Sequence, residues 1–398
     1  MRKAVVAVVV AAGVLWLVMW ACALLMRSAM STGPENAWPA GLGTLSEAAK
    51  RYQETTMSPS AARLVAAAEP LGIDLAPRMR SDLLKTEPRP MEFARQQIDA
   101  WVRSQLRIPT DQIAALPPEL AEYLAGRAGD LAVVSALLRS KEPVVWPQDV
   151  GDPGAPLPNL LGLAQLQRVL IARAFDRTRA GDAGAWNDLE AAWILARSLS
   201  TRGELISVLT SLAMARRADA AARKLPLPLP PWLQEMQSFD YRRAVIASYQ
   251  LDAWRSHDAI HAETSVDGSP LLRRAVDAVM SPYTRMSASD LMEERRRSAI
   301  AIAGTRQCEF PGVRPSPAWW NVPARSISTP NVDVMWQRVL RFTAEREATL
   351  RALRMREGAP RMPRSSCADG EWIYFEGGFR FSRSIPDRAE GIPLEFRK

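Results

Sequence analysis

Histidine is nearly absent from this chain, cysteine is scarce and lysine is rare. The 398 residues include two histidines and three cysteines. Any Ser-His-Asp or Cys-His site would therefore have to be built on His257 or His261. The short nucleotide and nucleophile signatures are missing too: there is no G-x-x-x-x-G-K-[ST], no G-x-G-x-x-G, no G-x-S-x-G and no Cys-x-x-Cys. P-loop, Rossmann, nucleophile-elbow and dithiol redox chemistry are thereby set aside. Carboxylate-only catalysis is not, because Asp and Glu are too common for sequence to single out a pair. Lysine supplies six of the 51 basic residues, and the net charge is +8. The arginines are interleaved with Asp and Glu along helical stretches, as in the run Glu293-Glu294-Arg295-Arg296-Arg297. They form ion-paired helix faces rather than a basic stripe, so no nucleic-acid partner is expected.

What the chain does have is a long uncharged run, AVVAVVVAAGVLWLVMWACALLM, from Ala4 to Met26. As a helix it reaches roughly 35 Å, against roughly 30 Å of bilayer hydrocarbon. It also exceeds the roughly 7–15 apolar residues of a cleaved signal. The expectation is an uncleaved transmembrane signal-anchor over residues 1–30, which makes the inner membrane a partner through residues 4–26. Arg2 and Lys3 outweigh Arg27, so the N-terminus is expected in the cytoplasm of a bacterial cell and residues 31–398 in the periplasm. Cys308 and Cys367 lie outside that run in Pro-rich surroundings, and an oxidising compartment predicts a disulfide between them. Closing that loop contributes about 4 kcal/mol on the chain-entropy account.

Composition divides the remainder into a stalk (31–43), a first helical region (44–142), a Pro/Gly linker (143–158), a second helical region (159–304), a Pro/Trp-rich loop (305–329), a last helix (330–357) and a β tail (364–398). Within the first region helices are predicted at 45–56, 59–68, 88–106, 117–124 and 130–140. The second opens with helices at 160–179, 185–199 and 205–224. Their apolar positions recur at three- and four-residue spacing: Leu163, Leu166, Leu170, Ala174; Leu189, Ala192, Leu195, Leu199; Leu205, Val208, Leu212, Ala215. The 160–199 hairpin, with Gly181-Asp182 at its turn, resembles one tetratricopeptide-type unit. No second copy follows at a 34-residue period, so the resemblance implies helix packing and not a repeat array. Further helices are predicted at 232–261 with a break near Ser238, at 270–280, 286–303 and 330–356. The proline run 225–231 reads as a link between helices.

The tail changes period. Trp372 to Phe375 and Phe379 to Ser382 flank Gly377-Gly378, which signals a hairpin. With the two glycines as its loop, Tyr374 pairs with Phe381. Trp372, Tyr374, Phe379 and Phe381 then share a face suited to lie on helices, and residues 393–397 offer a third strand. The fold class expected is mainly α: one membrane helix, an antiparallel hairpin-like or solenoid-like helical body, and a small antiparallel sheet.

The histidines read His257-Asp258-Ala259-Ile260-His261. The spacing puts both on one side of a helix and resembles the H-E-x-x-H zinc-protease motif, with Asp where that family has Glu. Two imidazoles one turn apart can hold Zn²⁺ while the carboxylate takes a proton from metal-bound water. Asp falls short of Glu by about 1 Å, a misplacement that can cost on the order of 10²-fold. A third ligand would have to come from Glu263, Asp267, Asp290, Glu293 or Glu294, and sequence singles out none. On a helical wheel His257 joins the stripe Phe239, Ile246, Tyr249, Ala253 and Ile260, a usual place for a core-edge histidine. The expectation is no metal, no cofactor and no catalytic residue. The function expected is that of a membrane-anchored, non-enzymatic scaffold or protein-binding module of the cell envelope. It would meet an envelope partner or a second copy through an apolar patch near Trp319 and Trp320 or the aromatic tail. The alternative is a zinc hydrolase centred on His257 and His261.

Overall fold

The computed structural model describes residues 2–32, 37–39, 41–52, 54–78, 92–149, 155–261, 271–306, 309, 317–322, 332–360, 362, 365–367, 370–385 and 390–398. Over these the chain forms α1 (Arg2–Thr32), α2 (Leu45–Arg51), α3 (Pro59–Ala68), α4 (Glu92–Arg107), α5 (Pro118–Gly126), α6 (Ala128–Leu138), α7 (Leu160–Arg179), α8 (Ala185–Ser200), α9 (Leu205–Ala222), α10 (Trp232–Ser238), α11 (Tyr241–His261), α12 (Leu271–Gly304) and α13 (Val332–Arg356). Three strands follow: β1 (Trp372–Phe375), β2 (Gly378–Phe381) and β3 (Glu395–Arg397).

Helix starts are set by caps present in the sequence. Glu47 N donates to Thr44 Oγ1 at 3.4 Å while Thr44 N donates to Glu47 Oε2 at 2.6 Å, a reciprocal capping box at α2. Ser58 accepts from Ala61 N at 3.2 Å with Pro59 in the first turn of α3. Asn159 does the same for α7 through Gly162 N at 3.0 Å, and Asp240 for α11 through Arg243 N at 2.9 Å. The α10–α11 break falls where sequence expects it, next to Ser238.

The core is organised around α7. Its residues are buried on nearly every face, and α4, α8 and α9 pack against it. Leu163, Leu166, Leu170 and Phe175 meet Leu189, Ala192 and Leu195 of α8 and Val208, Leu212 and Ala215 of α9 in one buried cluster. Gln167, wholly buried, ties the three helices together, its amide donating to Met214 O at 2.6 Å and Ala192 O at 3.4 Å. Segment 143–158 is packed against the same body where it is described. Trp146 is buried and its Nε1 donates to Ser198 Oγ at 3.0 Å, and Thr55 and Gln148 exchange backbone bonds.

Among the described residues no helix is long and apolar enough to cross a membrane. That overturns the span expected from Ala4 to Met26, and with it the single-pass signal-anchor and the inner-membrane and periplasmic placement. The run does form a helix, but α1 lies along α12 and touches α2. Ala23 is buried, and the Arg285 guanidinium of α12 sits 4.4 Å from the Trp20 ring centroid. An uncharged run announces that something apolar covers part of it; it does not announce whether that cover is lipid or protein.

Two local expectations also change. α12 is a single helix through Pro282 instead of two. Proline removes one backbone donor but does not force a break where contacts beyond it hold the helix. Here Thr284 Oγ1 donates back to Ser281 O at 2.9 Å, and Tyr283 and Arg285 are both engaged outside the helix. In the tail, Tyr374 pairs with Phe379 and Trp372 with Phe381, two residues away from the expected register. The loop is Glu376-Gly377, with Gly377 at φ 72. Gly378 belongs to β2, pairing with Phe375 and Arg397, and must be small because a Cβ there would lie 2.4 Å from Phe396 O of β3. The third strand is present, giving the order β1-β2-β3, all antiparallel. The aromatic face is buried as expected: Trp372, Phe379, Phe381 and Phe396 lie on Leu340, Ala344, Ala348 and Ala352, a stripe at every fourth residue of α13.

Candidate functional site

α9 carries Arg216, Arg217 and Asp219, with Arg223 as its C-cap, in a helix rich in Ala, Ser and Leu whose second half, from Met214 on, is buried on all sides. Charges in such a helix must find partners, since an unpaired buried charge is prohibitively costly. α13 supplies them. Glu345 accepts from Arg216 Nε and Nη2 at 2.8 and 2.7 Å and from Arg341 Nε at 2.9 Å. Arg223 donates to Thr349 Oγ1 at 2.8 Å and to Glu345 O at 2.9 Å. Asp219 accepts from Thr349 Oγ1 at 2.6 Å and from Gln237 of α10. Burial pushes the Asp219 carboxyl up to about 6, against the pull of Arg223 and Arg346. A raised carboxyl is a reason to look for general acid–base chemistry. Yet Asp219 is wholly buried and both its oxygens are taken by α10 and α13 side chains, so it is sealed away from any dissolved substrate.

Arg341, Arg223 and Arg217, with Arg107 of α4, also reach residue 385 and the C-terminal stretch 390–398. Arg341 donates to Ile385 O at 2.7 Å and to Ile392 O; Arg223 donates to Pro393 O at 2.8 Å; Arg107 donates to Glu390 O at 2.9 Å. Glu390 accepts from Arg217 Nε at 2.9 Å and Nη2 at 2.5 Å. Burial pushes the Glu390 carboxyl up, but Arg217, Arg168 and Arg216 outweigh it and hold the group below the ordinary range. Arg168, buried beside Arg217, is pulled down to about 10.

The second cluster with functional character lies on α12. Asn321 is wholly buried and its amide donates to Ser287 O and to Asp290 Oδ2, both at 2.8 Å. Asp290 also accepts from Ala318 N at 2.9 Å, and Tyr283 OH donates to Trp320 O at 2.9 Å. These bonds pin the turn 317–322 to the helix. On its outer side Trp319 is 83% exposed and Val322 64% exposed.

The residues singled out by sequence are placed as follows. His257 and His261 fall in the last turns of α11, and their side chains lie outside the described residues. Among the described residues no group of His, Cys, Asp and Glu could hold a metal ion. Cys367 is disulfide-bonded and Cys22 is a free thiol; Cys308 lies outside the described residues. Of the proposed third ligands, Asp290 instead holds the Trp319 turn, and Glu293 pairs with Arg296 and Arg297. Sequence reasoning pointed to the Trp319/Trp320 segment but missed the arginine network. The one available signal was charge set in a helix, 205–222, that is otherwise uncharged. No protein-family model matches the chain, and no curated protein or solved structure does either.

Proposed function

We propose that this chain is a non-enzymatic protein-binding scaffold whose contact surface is built around Trp319 and Val322. The observation that supports it is the 83% exposure of Trp319 on a turn pinned from beneath by the buried Asn321. Isolated exposed apolar residues are common and need no explanation. A tryptophan held out on a rigid turn is different, because Trp dominates binding hot spots and a preset geometry lowers the ordering cost of association. The sealed state of Asp219 favours the same reading over an acid–base enzyme. The second half of the reading is covalent: Cys308 is proposed as the disulfide partner of Cys367, supported by the free state of Cys22 in a chain of three cysteines.

The test places a photo-crosslinking residue at position 319 and, as a control, at Leu161, which is 67% exposed on α7. In cells the first position should give one discrete adduct, with another protein or a second copy, that the control lacks. Replacing Asn321 by Ala should weaken that adduct by freeing the turn. Indistinguishable labelling at the two positions refutes the reading.

A further inference from the structure

α1 carries no charge from Ala4 to Met26, and its described side chains divide into two apolar stripes. Trp16, Met19, Trp20, Ala23 and Met26 recur at three- and four-residue spacing and are buried or half-buried. Trp16 and Trp20 meet edge to face at 6.0 Å, and the Arg285 guanidinium of α12 caps the Trp20 ring. This stripe lies on the body. Val10, Val14, Leu17, Ala21 and Leu24 have the same spacing on the opposite side, and all five are exposed. Val18 and Leu25 flank them, at 52% and 71% exposure. A helix that is apolar all round is normally buried all round. This one has its cover on one side alone.

Three observations say what fits the other side. The spacing of the outer stripe alternates four and three, the pattern with which a helix receives the side chains of a like helix as knobs in its holes. The stripe has no charge, so two identical copies can face each other without the like-charge repulsion that keeps most self-pairings apart. Its area is also sufficient. At about 30 Å² per buried apolar carbon, the stripe and its flanks hold on the order of 500 Å². Two copies would then bury about 1,000 Å², the floor for a specific interface.

We propose that the outer stripe of α1 is a self-association seam, on which a second copy of this chain lays the same stripe of its own α1 in a two-fold pair. The contact is isologous, each copy offering and receiving the same residues. Leu15 is 60% exposed but belongs to neither stripe, so it stays outside the seam. The seam uses no residue of the Trp319 turn, and either reading can fail alone.

The test is sedimentation velocity of the full chain in detergent-free buffer. Wild type should sediment as a dimer at micromolar concentration. Leu17→Glu combined with Ala21→Glu should weaken the pair at least about 100-fold, and so should Leu17→Lys combined with Ala21→Lys. An equimolar mixture of these two variants should recover a dimer containing one copy of each. That recovery holds for either helix direction, since residue 17 meets 17 in a parallel pair and 21 in an antiparallel one. It also separates a broken seam from a misfolded chain. Leu15→Glu should leave the dimer intact. Wild type that is monomeric or aggregates without limit overturns the proposal. So does a mixture that stays monomeric, or a Leu15→Glu chain that dissociates as fully as the seam variants. A wild-type dimer that comes apart to float with vesicles of phosphatidylethanolamine and phosphatidylglycerol overturns it as well, because lipid would then be the cover.

Discussion

Asp219 gives the sharpest test of the α9–α13 interface. The ordinary value of an Asp carboxyl is near 3.8, and in the folded chain burial holds this one at about 6. Each pH unit of difference corresponds to about 1.4 kcal/mol, so ionising Asp219 costs the native state about 3 kcal/mol. The sign follows from proton counting. Below pH 3.8 the group is protonated in both states and contributes nothing. Between 3.8 and 6 the unfolded chain has released the proton and the native chain still holds it, so stability falls as pH rises. Above about 6 the loss is complete. Asp219→Asn imitates the protonated form: its oxygen can accept from Gln237, and its amide can face Thr349 Oγ1, whose own proton can go to Glu345 O at 3.1 Å. Urea unfolding of wild type and variant, followed by far-UV circular dichroism from pH 3.5 to 7.5, isolates the term as a difference. The variant should gain about 3 kcal/mol on wild type across that range. A difference that stays flat with pH, or one that moves the other way, refutes the argument that desolvation outweighs Arg223 and Arg346.

The other predictions use simpler readouts. Non-reduced, denatured protein should show one reactive thiol, Cys22; three would reject the Cys308–Cys367 bond, whose loss in Cys308→Ser should cost about 4 kcal/mol. Leu170→Ala, at the wholly buried centre of α7, should lower unfolding free energy by about 2–5 kcal/mol, while Leu161→Ala stays within about 0.5 kcal/mol. Trp319→Ala should leave thermal stability unchanged and cost about 2 kcal/mol or more in partner affinity; a large drop in melting temperature instead would make Trp319 a packing residue. Metal analysis of dialysed protein should find no stoichiometric zinc, and zinc that disappears on His261→Ala would favour the hydrolase alternative.

The helical body was legible because its signals are local. Caps at Thr44 and Ser58 mark helix starts, and the three- and four-residue spacing of Leu163, Leu166 and Leu170 marks the face that becomes the core. What sequence misread depends on partners far along the chain. The two-residue slip of the tail hairpin comes from treating Gly378 as a turn residue, when its smallness serves the close approach of Phe396. α12 continues through Pro282 because of contacts with α1 and with the 320–322 turn, neither of which is near in sequence. The apolarity of α1 was visible, but not the helix that lies along one side of it. The arginine network was invisible for the same reason: Arg216 and Glu345 are 129 positions apart, and Arg217 and Glu390 are 173 apart. The Trp319 segment stood out by composition alone, while Asn321, which holds it, did not.

One guanidinium, that of Arg341, grips the chain at both Ile385 and Ile392, and does so through carbonyl oxygens that every amino acid possesses. The count of residues between these two points is therefore fixed by the two carbonyls, while at Glu390, paired with Arg217, and at Gly391, where a Cβ would lie 2.8 Å from Arg107 Nε, the identity is fixed as well. A single deletion or insertion there would pull one carbonyl off the fork and carry Glu390 or Ile392 out of its place. A catalogue of tolerated changes in this region should accordingly be nearly empty of length variants.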